Sequence, residues 1–234
     1  MPKVAFSDSY VTIWRGTDCR LFLDGLSSNQ VLNLEKNHVV QTAILNNNAK
    51  IIDLVTILNF GDFLAIIGYL PNFQSMLDFV TPRILQSEVS ISNISNLNDV
   101  VILYDQNNDS GIGTIETKGD VTYAKVSGNM TYCIAAKKVT LESEPMDETF
   151  HEWRISNLVP WHGYEINSNQ IPYKCGVNEL VHESKGCFTG QEILTRMRTR
   201  NKGIKVLKSI DNLEINSHKV TTRGLKNSLI IDNQ

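Results

Sequence analysis

The sequence has no apolar run approaching the roughly 18 consecutive residues that a membrane-spanning helix needs. It has no C-x-x-C pair among its 4 cysteines, Cys19, Cys133, Cys175 and Cys187, so zinc-ribbon and thioredoxin-type spacings are excluded. No G-x-G-x-x-G, G-x-x-x-x-G-K-[ST] or G-x-S-x-G occurs, which leaves dinucleotide, P-loop and nucleophile-elbow chemistry without support. An excess of one charge is also missing. The 22 Lys+Arg against 25 Asp+Glu leave −3, too little for global attraction to nucleic acid or anionic membranes. Residues Met1 to Tyr10 contain no apolar core of a signal peptide and no arginine, so a cytoplasmic location with free thiols is expected.

What is there is an ordinary globular composition, 41% hydrophobic over 234 residues. Thr17 to Leu26 reads as a short helix. Ile51–Leu58 and Phe63–Ile67 are β-branched runs around Asn59-Phe60-Gly61-Asp62, the pattern of a hairpin. A helix is expected after Pro71-Asn72, with Phe73, Met76, Leu77 and Val80 on one face. Further strands are expected at Val89–Ile91, Val100–Tyr104, Val121–Val126 and Thr131–Ala136. A second long helix should run from an Asp147 cap to Leu158, before Pro160. Residues 204–234 alternate weakly and suggest two or three short strands. The irregular mixture of strands and helices argues an α+β fold.

One stretch stands apart: Lys185-Gly186-Cys187-Phe188-Thr189-Gly190-Gln191-Glu192. Thr189 and Glu192 have capping-box spacing, which predicts a helix opening at Thr189 with Cys187 just before it. The helix dipole and Lys185 would then favour a thiolate at Cys187. Gly186 and Gly190 would let a ligand or another backbone approach closely. A glycine-punctuated turn holding a small buried cysteine accounts for the same residues equally well.

From Lys185 to Lys208 the chain carries Lys185, Arg196, Arg198, Arg200, Lys202, Lys205 and Lys208 against Glu192 alone. A polycarboxylate or a nucleic-acid phosphate would suit such a stretch. Without interleaved aromatics, nucleic acid is the weaker ligand. His151, His162 and His182 with Cys175 and Cys187 match no zinc pattern and read as separate surface histidines. Cys19 and Cys133 read as core.

Lys185 to Glu192 resembles the K-G-C-[YF]-x-G-Q-E signature of the YgfZ family, folate-binding relatives of the glycine-cleavage T-protein (aminomethyltransferase). Trp153-Arg154-Ile155 with Pro160-Trp161-His162-Gly163-Tyr164-Glu165-Ile166 is similar to the family's R-I-x-x-G-x-P-x-x-G-x-E-I segment. Gly16-Thr17-Asp18 through Asn29 is similar to its G-x-D-A-x-x-F-L-x-G-x-x-T-N helix, and Asn48 to Leu54 to its x-G-[KR]-I-x-x-D-L strand. The match spans roughly residues 10–205. Ser156-Asn157-Leu158 stands where relatives commonly have Glu-Ala-Gly, and Ala49 replaces a usual glycine.

The resemblance implies a GcvT/YgfZ-like folate-binding fold of ferredoxin-like units over 1–203, followed by a short C-terminal β segment over 204–234 in place of a full barrel. It implies a tetrahydrofolate or other reduced folate as cofactor, with Tyr10, Phe150, Arg154 and Lys185 as folate contacts. It also implies a role in assembly or repair of iron–sulfur enzymes and in related tRNA modification. Those client enzymes or assembly proteins would be the partners, and Cys187 the functional thiol. Within the same resemblance, an aminomethyltransferase acting on tetrahydrofolate-linked one-carbon units is the alternative. No membrane partner is expected, and a nucleic-acid-binding module is the least supported reading.

Overall fold

The computed structural model describes residues 1–200, 203–215 and 219–233. In chain order the first half contains β1 (Lys3–Ala5), β2 (Ser9–Arg15), α1 (Cys19–Leu26), β3 (His38–Leu45), β4 (Ile51–Asn59), β5 (Leu64–Tyr69), α2 (Phe73–Ile84) and β6 (Ser90–Asn93). The second half contains β7 (Asn98–Tyr104), β8 (Ile115–Lys118), β9 (Val121–Lys125), β10 (Met130–Ala136), α3 (Glu148–Asn157) and α4 (Gln191–Thr199). The last strands are β11 (Lys205–Asp211), β12 (Val220–Arg223) and β13 (Asn227–Asn233).

These strands form two five-stranded sheets, β3-β4-β5-β2-β6 and β1-β7-β10-β9-β8, and a three-stranded sheet β11-β13-β12. All their pairings are antiparallel. The expected hairpin is present, with Asn59 opposite Leu64. β4 is buried along its whole length, as its near-continuous apolar run requires of a strand covered on both faces. One face packs Val55 and Ile57 with Leu23 of α1 and Met76 and Val80 of α2. Leu58, on the other face, joins Ile102, Tyr104, Phe150 and Trp161, so the main core lies between the two larger sheets.

Asp147 caps α3 as expected, its carboxylate accepting from the Phe150 N–H at 3.2 Å. α1 starts at Cys19, two residues inside the expected helix. The capping box at Thr189 does not form. α4 is capped instead by Gly190, and the Thr189 N–H and hydroxyl both bond to the Gly25 carbonyl, at 2.9 and 3.3 Å. Of the basic residues expected along this stretch, Lys202 lies outside the described residues.

No helix among the described residues is long and apolar enough to cross a membrane.

Candidate functional site

After α3 the chain passes Pro160 and makes a tight turn through Trp161–Ile166. The N–H groups of Tyr164, Glu165 and Ile166 all bond to the Trp161 carbonyl, and Gly163 supplies the positive φ of 79° that closes the turn. This turn borders a cavity of about 170 Å³ between the two larger sheets. Gln41 and Leu54 come from one sheet, Tyr132 from the other, and Trp161, His162 and Glu179 from the segment crossing between them. Trp161 and His162 also wall a second cavity of about 410 Å³, together with Tyr69, His151 and Tyr164.

His162 was expected at the surface; it is only 6% exposed. Its ring stacks on Tyr69 at 4.7 Å, and its Nδ1 has no hydrogen-bond partner. Burial pushes its pKa down to about 4, so it is neutral at pH 7 and keeps an unsatisfied polar atom in the wall of both cavities. Glu179 stands exposed at the rim of the smaller one, where desolvation by the surrounding protein raises its pKa above the ordinary carboxylate range.

Arg154 was expected to offer a cation to folate; it is fully buried and its bonds are internal. Its guanidinium pairs with Glu165 at 3.0 Å, donates to the Val159 carbonyl at 3.0 Å and reaches Thr222 Oγ1 of β12 at 3.1 Å. Glu165 in turn accepts from the Trp161 N–H at 3.0 Å and the Thr222 hydroxyl at 2.7 Å. Arg154 also lies 2.9 Å from His151 Nδ1, while His151 Nε2 faces the Tyr164 hydroxyl at 3.2 Å. As Arg154 can only donate, Nδ1 accepts and Nε2 carries the proton. The network fixes the Trp161–Ile166 turn and so shapes the cavities without lining the smaller one.

Phe150 and Tyr10, expected to stack on a pterin, are likewise fully buried. Phe150 packs edge-on against Tyr104 and Trp161 at 5.2 Å each. Tyr10 packs on Phe73 of α2 at 4.7 Å, on the far face of its sheet. Neither is among the residues lining the two cavities walled by Trp161 and His162. Asp53 also turns to that far face, where its carboxylate accepts from the Leu54 and Tyr69 N–H groups and from Asn72. Burial outweighs these bonds and raises its pKa to about 7. It is Leu54, the next residue, that faces the cavity.

The Lys185 ammonium is engaged by main-chain carbonyls and a carboxylate. Its Nζ donates to the carbonyls of Asp24, Ser27 and Asn29 at 2.7, 2.9 and 2.8 Å and pairs with the Asp24 carboxylate at 3.2 Å. Asp24 lies in the last turn of α1, Ser27 is its C-cap and Asn29 follows just beyond, and a cation at a helix C-terminus is favourable. Gly190 has φ 82°, and a Cβ there would come within 2.8 Å of Ala49 Cα, so the loop presses against the β3–β4 turn. Gly186 has nothing within 4 Å of a Cβ position, so no close approach calls for it. Gln191 Oε1 accepts from the Phe188 N–H at 3.4 Å, and Glu192 pairs with Arg196 at 3.0 Å.

Cys187 is exposed on this loop, whereas Cys19, Cys133 and Cys175 are buried. Burial pushes the Cys133 and Cys175 thiols up to about 12. Among the described residues no group of three or more His, Cys, Asp or Glu is arranged to hold a metal ion.

Trp161 and His162 line both cavities, and neither was expected as a site residue. The available signal was an aromatic pair in the short turn between Pro160 and Gly163.

No protein-family model matches the sequence. The structure is similar to the crystal structure of the glycine cleavage system aminomethyltransferase T from Bartonella henselae, with a TM-score of 0.72. The match covers 99% of this chain and 78% of that one, at 13% sequence identity. Helices, three antiparallel sheets and the cavity between the larger two are thus arranged on the fold of an aminomethyltransferase T.

Proposed function

We propose that this chain is a folate-binding protein of the YgfZ type, holding tetrahydrofolate or another reduced folate in the cavities walled by Trp161 and His162. In this reading it serves assembly or repair of iron–sulfur enzymes, and related tRNA modification, through the loop bearing Cys187. The observation that carries it is an aromatic-walled cavity with an orphaned buried nitrogen, His162 Nδ1, on the fold of an aminomethyltransferase T.

The residues fit the group. A pterin is flat, with apolar faces and an edge of alternating donors and acceptors. Trp161 and Tyr132 supply faces; His162, the Gln41 amide and the Glu179 carboxylate supply edge partners. An apolar cavity of about 150 Å³ holds a single benzene ring. A bicyclic head with its tail therefore needs both the 170 Å³ and the 410 Å³ cavities, which share Trp161 and His162 as walls. Two departures from the family pattern are also reconciled. Ala49 and Leu158 stand where relatives have glycine, and both adopt positive φ, 56° and 53°. The backbone that the pattern calls for is retained without its glycines. Cys187 is the accessible thiol of the four.

The neighbour's name favours a second reading, an aminomethyltransferase acting on tetrahydrofolate-linked one-carbon units. That chemistry calls for a carboxylate beside the folate amine to stabilise developing positive charge. Asp53 points away from the cavities and Ser156 is exposed on α3, and the carboxylates in the cavity walls are Glu179 and Asp8. The accessory reading is preferred for the Lys185–Glu192 loop with its exposed Cys187, a signature that transferases generally lack.

Titration with tetrahydrofolate, followed by tryptophan fluorescence, tests the binding. Trp161 should be quenched saturably, and the quench should vanish in Trp161→Phe while Trp14 and Trp153 emission persists. No saturable change in the parent would defeat the folate reading. Cys187→Ser should keep folate affinity and lose support of iron–sulfur enzymes in cells lacking the endogenous protein. Full complementation would remove the thiol from the function.

A further inference from the structure

A groove of about 260 Å³ lies between α2 and β6, at the edge of the sheet β3-β4-β5-β2-β6. Met76 and Val80 of α2 are buried against that sheet. Phe73, Leu77, Thr81 and Ile84, at helical spacing, form a second stripe that walls the groove. Ile91 and Asn93 of β6 form the opposite wall, and none of these lining residues is charged. β6 is the last strand of its sheet, and among the described residues no strand pairs with its outer edge. Its pairing with β2 fixes which groups face outward. The Ile94 N–H bonds to the Val11 carbonyl at 2.9 Å, and Ser92 and Ser90 stand opposite Ile13 and Arg15. Antiparallel ladders alternate, so Ser90 and Ser92 turn their main-chain groups to β2, while Ile91 and Asn93 turn theirs outward. The two residues with side chains in the groove thus also hold open N–H and C=O groups beside it. Neither lysine nor proline, which commonly blunt such edges, occurs in Ser90–Asn93.

A space walled by a helix stripe on one side and an open strand edge on the other suits another strand. We propose that α2 and β6 form a docking groove for an extended, uncharged segment of a partner protein, added as a sixth, antiparallel strand. Its main chain bonds to Ile91 and Asn93. The partner residues opposite these two share their face of the sheet, so every second side chain, apolar, fills the space against Leu77. A charged side chain there would lose its water and find no partner. A second folded copy of this chain fits less well. β6 spans only about 13 Å, at about 3.3 Å per residue. The groove residues fall far short of the roughly 20–30 a side that stable contacts between folded surfaces use. The proposal does not rest on folate binding.

Fluorescence anisotropy of the full chain with an end-capped, fluorescein-labelled peptide of alternating valine and threonine tests it. Binding to the parent should be saturable. It should weaken about tenfold or more when the valines are N-methylated, which keeps the side chains and removes the main-chain donors. Lysine in place of valine should abolish it. Thr81→Arg, at an exposed position of α2, should weaken binding about tenfold at an unchanged unfolding temperature. Leu77→Asp, which sets a charge inside the groove, should abolish it. No saturable binding to the parent, or equal binding of the methylated peptide, would overturn the proposal. So would a concentration-dependent dimer in sedimentation that Thr81→Arg breaks, a result that gives the groove to a second copy. Tetrahydrofolate affinity should be the same in parent and Thr81→Arg, so the two readings fail separately.

Discussion

Lys185 Nζ lies 2.7 Å from the main-chain oxygen of Asp24, 161 residues earlier, and 3.2 Å from the same residue's carboxylate. The lysine at the head of the Lys185–Glu192 loop is a staple: it ties the loop to the carbonyls of Asp24, Ser27 and Asn29, at and just past the end of α1, and leaves Cys187 outside. Lys185→Met should therefore destabilise the fold by about 3–5 kcal/mol, the cost of removing one partner of a buried pair. Urea unfolding measures it. A change below about 1 kcal/mol would mean that the loop holds its place without the staple.

Arg154 and Glu165 form the second buried pair. Arg154→Met should cost about 3–5 kcal/mol because Glu165 is left charged and unpaired, and folate affinity should fall through the Trp161 turn that Glu165 holds. Arg154→Met with Glu165→Gln should recover part of the loss, since the stranded charge is gone. A double-mutant cycle in urea reads the coupling. Strict additivity would show that the pair carries no mutual energy.

Thiol accessibility gives a simpler test. At neutral pH one equivalent of iodoacetamide should react quickly, and peptide mapping should place it on Cys187, since the other three thiols are buried. Cys133 and Cys175, pushed up to about 12, should react only on unfolding. Early label on either would contradict their burial.

Two buried groups make opposite demands on pH. Asp53 holds its proton in the fold up to about 7 but loses it near 3.9 when unfolded. Between about pH 4 and 7 it therefore costs stability as pH rises, up to about 4 kcal/mol. His162 is depressed to about 4 in the fold against about 6.5 unfolded. Stability is lost as pH falls through that window, up to about 3 kcal/mol. In the parent the two slopes offset each other between about pH 4 and 6.5. Relative to the parent, Asp53→Asn should gain stability as pH rises, and His162→Gln should gain it as pH falls. Unfolding curves at pH 4.5, 6 and 8 that stay parallel for parent and variants would refute this.

Local signals in the sequence were legible. The Asp147 cap, the β4–β5 hairpin and the face of α2 each depend on residues a few positions apart, and each is present. The expected strand at Val121–Val126 appears as Val121–Lys125, and the weak alternation after residue 204 resolves into three strands. Long-range partners were not legible. Arg154 looks like a cation for a ligand until Glu165 and Thr222 appear beside it, 11 and 68 residues on. Thr189 has capping spacing, yet Gly25, 164 residues away, claims its hydroxyl. Tyr10 and Phe150 were placed by type, aromatic and therefore stacking, when the core needed their volume. His162 reads as a surface histidine because its burial depends on Tyr69 and Phe6, far away in the sequence.

The Thr222 hydroxyl, bonded to Glu165, makes the site depend on a residue 57 positions later in the chain. Synthesis runs from the N-terminus, so both larger sheets, the helices and the Arg154–Glu165 pair are all made before Thr222 leaves the ribosome. Until it does, Glu165 lacks one of its three hydrogen-bonded partners and the Trp161 turn is one anchor short. The wall that would grip a ligand is thus complete only once the chain as far as Thr222 has been made and β12 has docked on the turn.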